Sequence, residues 1–207
     1  MCSFQGESDL YLKRFFFTFT VIILSLLVYL YVVIFSQPTL EKDLRSQYLK
    51  GGDFQLMSNE KPFSLNQLQG RPVILYFGYT YCPDVCPVGL AVIRNVLNSA
   101  PDEFTNVSVV FITLDPDRDT TDKLKEYVSF FHQNIIPLRG RVEDIQNIIK
   151  SYGGFFRKVT PADKTSNEYV VDHSAYYYLI DSKGELMRVF DHSVSVGQLA
   201  ESLRGLL

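Results

Sequence analysis

The sequence of 207 residues has no tryptophan and only three cysteines, three histidines and three methionines. Three cysteines are too few for a disulfide-stapled scaffold, so any close pair among them needs a specific reason. Charge of one sign is also lacking. Lys and Arg number 20 against 23 Asp and Glu, for a net charge of −3 and a pI of about 5.6. That balance excludes the basic footprint of a nucleic-acid binder. There is no internal repeat and no low-complexity tract. What is present is apolar and aromatic: 46% hydrophobic residues, with 16 Phe and 13 Tyr. With 21% charged residues the composition is globular, and the length suits one domain plus an appendage.

The appendage is a run without charge, Phe15 to Phe35. A bilayer core of about 30 Å needs about 20 apolar residues in a helix, so this run can span. Tyr29 and Tyr31 lie towards one end, as interfacial aromatics do. A cleaved signal would have a shorter apolar stretch and a small-residue cleavage site. Ser36-Gln-Pro-Thr39 offers no such site, so a retained anchor is expected. Lys13 and Arg14 precede the run, while Glu41, Lys42, Asp43 and Arg45 come after it with no positive excess. The positive-inside rule then keeps the N-terminus cytoplasmic and exports the rest of the chain beyond the run. The expected division is a tail over 1–14, an anchor over 15–35, a polar stalk over 36–50 and a domain over 51–207. Cys2 falls in the tail, away from the other two cysteines.

Within 51–207 the pattern is α/β. Phe54–Met57 and Pro62–Leu65 read as a hairpin. Pro72–Tyr79 is a continuous apolar run of strand length, as a strand buried on both faces is, and Val107–Leu114 is a second buried-type strand. A helix starts near Cys86, with Leu90, Ile93 and Leu97 on one stripe. Thr120 or Thr121 caps a second helix, and Val142–Tyr152 forms a third that ends at Gly153-Gly154. Ile135–Leu138 is a strand. Ala175–Ile180 and Glu185–Phe190 form a hairpin, and a helix over Val196–Leu206 closes the chain. Strands alternating with helices predict a mixed central sheet with flanking helices, for which a thioredoxin-like layout is the natural candidate.

Cys82 and Cys86 stand in Tyr81-Cys-Pro-Asp-Val-Cys-Pro87, between a buried strand and a helix start. Unpaired N–H groups and the dipole at a helix start favour thiolate over thiol. Residues four apart on a helical turn share a face, which suits chelation of one soft ion or a disulfide. Two exported cysteines alone do not complete a four-ligand zinc site. The spacing leaves metal binding and disulfide exchange equally open. A peroxidase of the same fold would place a proline where Leu75 stands.

His132 ends an amphipathic helix, where a cation suits the dipole, and His192 lies in a loop. His173, in Val171-Asp-His-Ser174, precedes the strand Ala175–Ile180. In thioredoxin-like folds the loop entering that strand faces the cysteine helix. Asp172 and Ser174 are candidates to orient its imidazole. Asp115 either approaches the site or serves the turn of Asp115-Pro-Asp-Arg-Asp119.

At these residues the chain resembles the Sco/SenC family of copper proteins. The resemblance rests on Gly51-Gly-Asp-Phe54, Phe77–Pro87, Phe111–Thr120 and Val171–Ser174, and covers about 50–207. It implies a thioredoxin-like fold with copper, Cu(I) or Cu(II), held by Cys82, Cys86 and His173. It implies assembly of the dinuclear copper centre of cytochrome c oxidase, with subunit II and other copper chaperones as partners. A thiol–disulfide reductase role for Cys82 and Cys86 is implied beside it. Tyr81 departs from the family, many of whose members carry His before the first cysteine. The N-terminus is not Arg-rich and has no transit peptide, so a bacterial inner membrane with a periplasmic domain is expected, the mitochondrial inner membrane facing the intermembrane space being the alternative.

Overall fold

A computed structural model describes residues 5–36, 51–160 and 169–207. The expected stalk (apart from Ser36), Cys2 and most of the polar loop at 160–168 lie outside the described residues. The chain forms two units, Met1–Arg45 and Ser46–Leu207.

The first unit is one helix, α1 (Gln5–Ser36). It starts ten residues before the apolar run, so the expected tail is helical from Gln5 onward. Phe16–Val33 is long and apolar enough to cross a bilayer, at about 27 Å of rise. None of that stretch is buried by protein.

The second unit is built on a five-stranded mixed sheet. Its strands are β3 (Val73–Gly78), β4 (Ser108–Thr113), β5 (Ile135–Leu138), β8 (Tyr177–Ile180) and β9 (Leu186–Phe190), in the order β5-β4-β3-β8-β9. β3, β4 and β5 run parallel, and β8 and β9 run antiparallel to their neighbours. The parallel strands are joined by helices α2 (Val85–Ser99) and α3 (Thr121–Ser129); α4 (Val142–Ser151) and α5 (Val196–Arg204) come after β5 and β9. Helices on both faces explain why β3 and β4 are buried at every position rather than at alternate ones.

The two-residue period of the strands divides the core. Ile74, Tyr76, Val109 and Phe111 face α2, α3 and α5, where Leu90, Ile93, Leu124 and Leu199 meet them. Leu75, Phe77, Val110 and Ile112 face the other way, towards Ile145 and Ile149 of α4 and Tyr152 just after it. Cys82 and Cys86 belong to this second cluster. A hairpin of β1 (Gln55–Ser58) and β2 (Lys61–Ser64) closes it. The turn residues Asn59 and Glu60 both have positive φ, as a two-residue hairpin turn requires.

One element was not expected. β6 (Phe156–Val159) and β7 (Val170–His173) pair antiparallel as a separate two-stranded sheet. His173 therefore ends a strand, opposite Phe156, rather than sitting in a loop.

A candidate metal centre

Three donor atoms converge at the carboxyl end of β3. The sulfurs of Cys82 and Cys86 and a ring nitrogen of His173 all lie within 4.8 Å of one another. Cys86 Sγ is 3.5 Å from His173 Nε2. All three residues singled out in the sequence are brought together.

The cysteines meet by a route other than the expected helical turn. Cys82 precedes the helix. Its N–H donates to the Tyr79 carbonyl at 3.2 Å, folding the chain back just after β3. α2 starts at Val85, and the side chain of its N-cap residue, Asp84, makes no capping bond. The Cys82 sulfur takes that role, accepting the Cys86 N–H at 3.5 Å. A first-turn amide of the helix thus points at a sulfur, the arrangement that stabilises thiolate.

The two thiols are unequal. Cys86 is fully buried and Cys82 is 9% exposed. The hydrogen bond from Cys86 pulls the Cys82 thiol well below its usual pKa against the cost of burial. The same bond to Cys82, reinforced by burial, pushes the Cys86 thiol up. One negative charge is shared by the pair and rests on the outer sulfur.

The imidazole is oriented by its own backbone. His173 Nδ1 lies 3.1 Å from the Ser174 carbonyl, which can only accept. Nδ1 therefore carries the proton, and the bare Nε2 faces the sulfurs. Ser174 contributes through that carbonyl, while its hydroxyl accepts the Phe155 N–H at 3.2 Å. Asp172 does not serve His173; it pairs with Arg157 across the β6–β7 hairpin at 2.9 Å. The Tyr79 ring stands edge-on to the imidazole at 5.8 Å.

The acidic turn proves more than a turn. Asp119 is fully buried and accepts the Thr80 N–H at 3.0 Å and the hydroxyls of Thr80 and Thr113, each at 2.5 Å. It ties the cysteine loop to the end of β4. Burial raises its pKa despite those three bonds. Asp115, also fully buried, pairs with Arg118 and accepts the Tyr169 hydroxyl at 2.6 Å. Tyr79, Arg118, Asp119 and Tyr169 were not anticipated. The Asp-x-x-x-Asp spacing was the one signal in the sequence, and it is shared with ordinary turns.

The other two histidines stay away. His132 does not act as a cation at a helix end: α3 stops at Ser129, and His132 Nδ1 accepts the Asn134 N–H at 3.2 Å. Burial lowers its pKa, which fits that neutral role. His192 is exposed beyond β9.

The family model described as SCO1/SenC matches residues 42–207. The chain belongs to this family. A SCO2-like protein of Rickettsia prowazekii is 36% identical over 192 residues, covering 87% of this chain and 93% of that one. The mitochondrial protein SCO2 of Saccharomyces cerevisiae is 38% identical over 161 residues, 74% of this chain and 53% of the yeast protein. Among solved structures, ScoI of Bradyrhizobium japonicum with copper bound superposes with a TM-score of 0.68 at 36% identity, over 76% of this chain and 99% of that one. ScoI of Arabidopsis thaliana with copper bound gives 0.69 at 32% identity, over 75% and 96%. The expected thioredoxin-like α/β fold is borne out by these matches.

Proposed function

We propose that this chain is a membrane-anchored copper-binding protein of cytochrome c oxidase assembly, holding copper through Cys82, Cys86 and His173. The observation that carries this is the convergence of two sulfurs and a bare imidazole nitrogen within 4.8 Å. The donor set fits the ion: thiolate selects Cu(I) over harder cations, and imidazole suits copper in either oxidation state. Copper is the cargo, and the protein's part is to offer three oriented donors. The buried Cys86 forms the inner wall, Cys82 supplies the lowered-pKa sulfur, and His173 is aimed by the Ser174 carbonyl. Copper bound to the related ScoI structures supports the reading.

Delivery to the dinuclear copper site of oxidase subunit II, with other copper chaperones as donors, is the finer part of this proposal. So is the division into tail, anchor 15–35, stalk 36–50 and domain 51–207. The charge pattern around α1 favours a periplasmic domain on a bacterial inner membrane.

The second reading is thiol–disulfide exchange by Cys82 and Cys86. The unequal pair favours it, since an outer thiolate beside an inner thiol is the arrangement of an attacking and a resolving cysteine. The two roles share a condition, because both thiols must be reduced before either can ligate.

The test is copper stoichiometry and the Cu(II)–thiolate absorption of the reduced chain, with and without His173→Ala. One copper per chain, with weakened binding and a shifted band in the variant, is expected. Unchanged affinity and spectrum in His173→Ala would remove His173 from the ligand set. Rescue of a deletion strain by His173→Ala but not by Cys82→Ser would favour thiol exchange.

A further inference from the structure

The elements that carry the donors are poorly joined. Cys82 and Cys86 belong to the end of β3 and the start of α2, while His173 ends a two-stranded sheet that pairs with no strand of the central one. An isolated hairpin of four-residue strands is marginal by itself. In β7 only Val171 is fully buried. Something else must hold His173 at its distance from the sulfurs.

Arg118 stands between the two parts. Its guanidinium lies 3.7 Å above the Tyr169 ring, next to β7, and 4.8 Å from the Tyr81 ring, next to Cys82. Its Nη1 donates to the Tyr169 carbonyl at 3.0 Å, and its Nε pairs with buried Asp115. Asp115 in turn accepts the Tyr169 hydroxyl. One planar group thus meets a carboxylate, a backbone carbonyl and two aromatic faces, which a lysine cannot do at once. Nη2 has no hydrogen-bond acceptor among the described residues, and the surrounding tyrosine faces account for its place. Two residues on from Tyr169, the Val171 N–H donates to the Tyr79 hydroxyl at 3.3 Å, and Tyr79 lies against His173.

We propose that Arg118 is a positioning residue for His173: through Asp115 and Tyr169 it clasps β7 to the cysteine loop and sets the imidazole-to-sulfur distance. Arg118 touches no donor atom and binds no metal itself. The proposal rests on the reading of His173 as a ligand. With the clasp intact, the imidazole is held ready before copper arrives. With it released, β7 swings on its short link to β8 and the two sulfurs are left as the whole site.

The test uses the full-length reduced chain in detergent and the variant Arg118→Lys, which keeps a countercharge for Asp115 but loses the fork and the stacking. In the metal-free chain, amide exchange at Val171 and Ser174 should quicken about tenfold, while Leu75 and Val110 in the central strands keep wild-type rates. Affinity for Cu(II) should fall about tenfold in Arg118→Lys, as for other groups that orient a ligand. In a His173→Ala background the same change should cost less than about twofold, because the clasp then has no ligand to place. Equal losses in both backgrounds, or unchanged exchange at Val171 and Ser174, would overturn the proposal. Tyr169→Phe, which removes only the hydroxyl given to Asp115, should show the same pattern in smaller measure, and its absence there would count equally against the clasp. A wild-type chain that binds no copper would sink the ligand reading, while the exchange rates of the metal-free chain would still judge the clasp.

Discussion

Gly78 is the last residue of β3, and a single methyl group there is expected to damage the centre from behind. A Cβ at this position would stand 2.9 Å from Cys86 Sγ and 2.8 Å from the Phe111 ring, with a second Phe111 atom at 3.2 Å. Ordinary contact between such atoms begins near 3.5 Å, so the neighbours must retreat by roughly 0.6 Å. Neither has room. Cys86 and Phe111 are both at 0% exposure, and Phe111 is packed between Tyr76 and Tyr127 at centroid distances of 6.3 and 5.9 Å. Overpacking of this kind costs about 1–3 kcal/mol. For a domain of this size that is a fall in Tm of about 2–12 °C. A sulfur moved by half an ångström also leaves the geometry needed for joint ligation, so copper affinity should fall at least about tenfold. The assay is thermal unfolding of Gly78→Ala in detergent by aromatic circular dichroism, with Cu(I) competition against a chromophoric chelator. Gly197→Ala is the control. Gly197 lies in α5 with nothing within 4 Å of its added Cβ, and alanine there should be neutral or stabilising by up to about 1 kcal/mol. Wild-type Tm and wild-type copper affinity in Gly78→Ala would refute the steric argument. A lowered Tm with unchanged affinity would refute the claim that Cys86 needs its present position.

Two further outcomes concern charge at the site. Alkylation of Cys82 by iodoacetamide should stay nearly constant from pH 7 to 9, because its thiolate is already formed; a rise of about tenfold per pH unit, as for an ordinary thiol below its pKa, would contradict the lowered Cys82 value. Asp119→Ala should cost roughly 2–4 kcal/mol by stranding the Thr80 and Thr113 donors. Asp119→Asn, which can keep most of those bonds, should instead alter the pH profile. Because burial raises the folded pKa, wild type binds its proton more tightly when folded and loses stability as pH rises from the ordinary value of 3.8 through the raised one. The Asn variant should lack that loss in urea melts over the same window, and an unchanged slope would count against a buried charge at Asp119.

Much of the fold was legible because its signals are strong and local. β3 and β4 carry apolar residues at successive positions since helices cover both their faces, and Leu90, Ile93 and Leu97 face the core at helical spacing. Thr120 caps α3 by accepting the Lys123 N–H, as its residue type suggests. The β6–β7 hairpin was not legible. Its strands are short, carry Arg157, Lys158 and Asp172, and bury only Phe156 and Val171, so no two-residue period stands out. At the site, the cysteines and His173 could be named from their motifs, but not how they meet. The expected helical turn gave way to a fold-back at Tyr79, with a sulfur in the capping place. Asp115 could be named only as approaching the site or serving its turn, and Asp119 escaped notice, because acidic residues are exposed by default and burial is decided by partners that sequence spacing does not reveal. Arg118 lies 51 residues from Tyr169, and nothing in either segment announces their stacking.

The inequality of the two sulfurs has a consequence for traffic. Cys86 is walled in by Gly78 and the aromatic core, so whatever approaches the centre must come past Cys82 and His173, beside exposed Tyr81, Pro83 and Asp84. Among the described residues, that is the open side of the centre. On the proposed function, a donor that fills it and an acceptor that empties it would compete for the same face. Handover would then be a matter of turns, one partner leaving before the next docks.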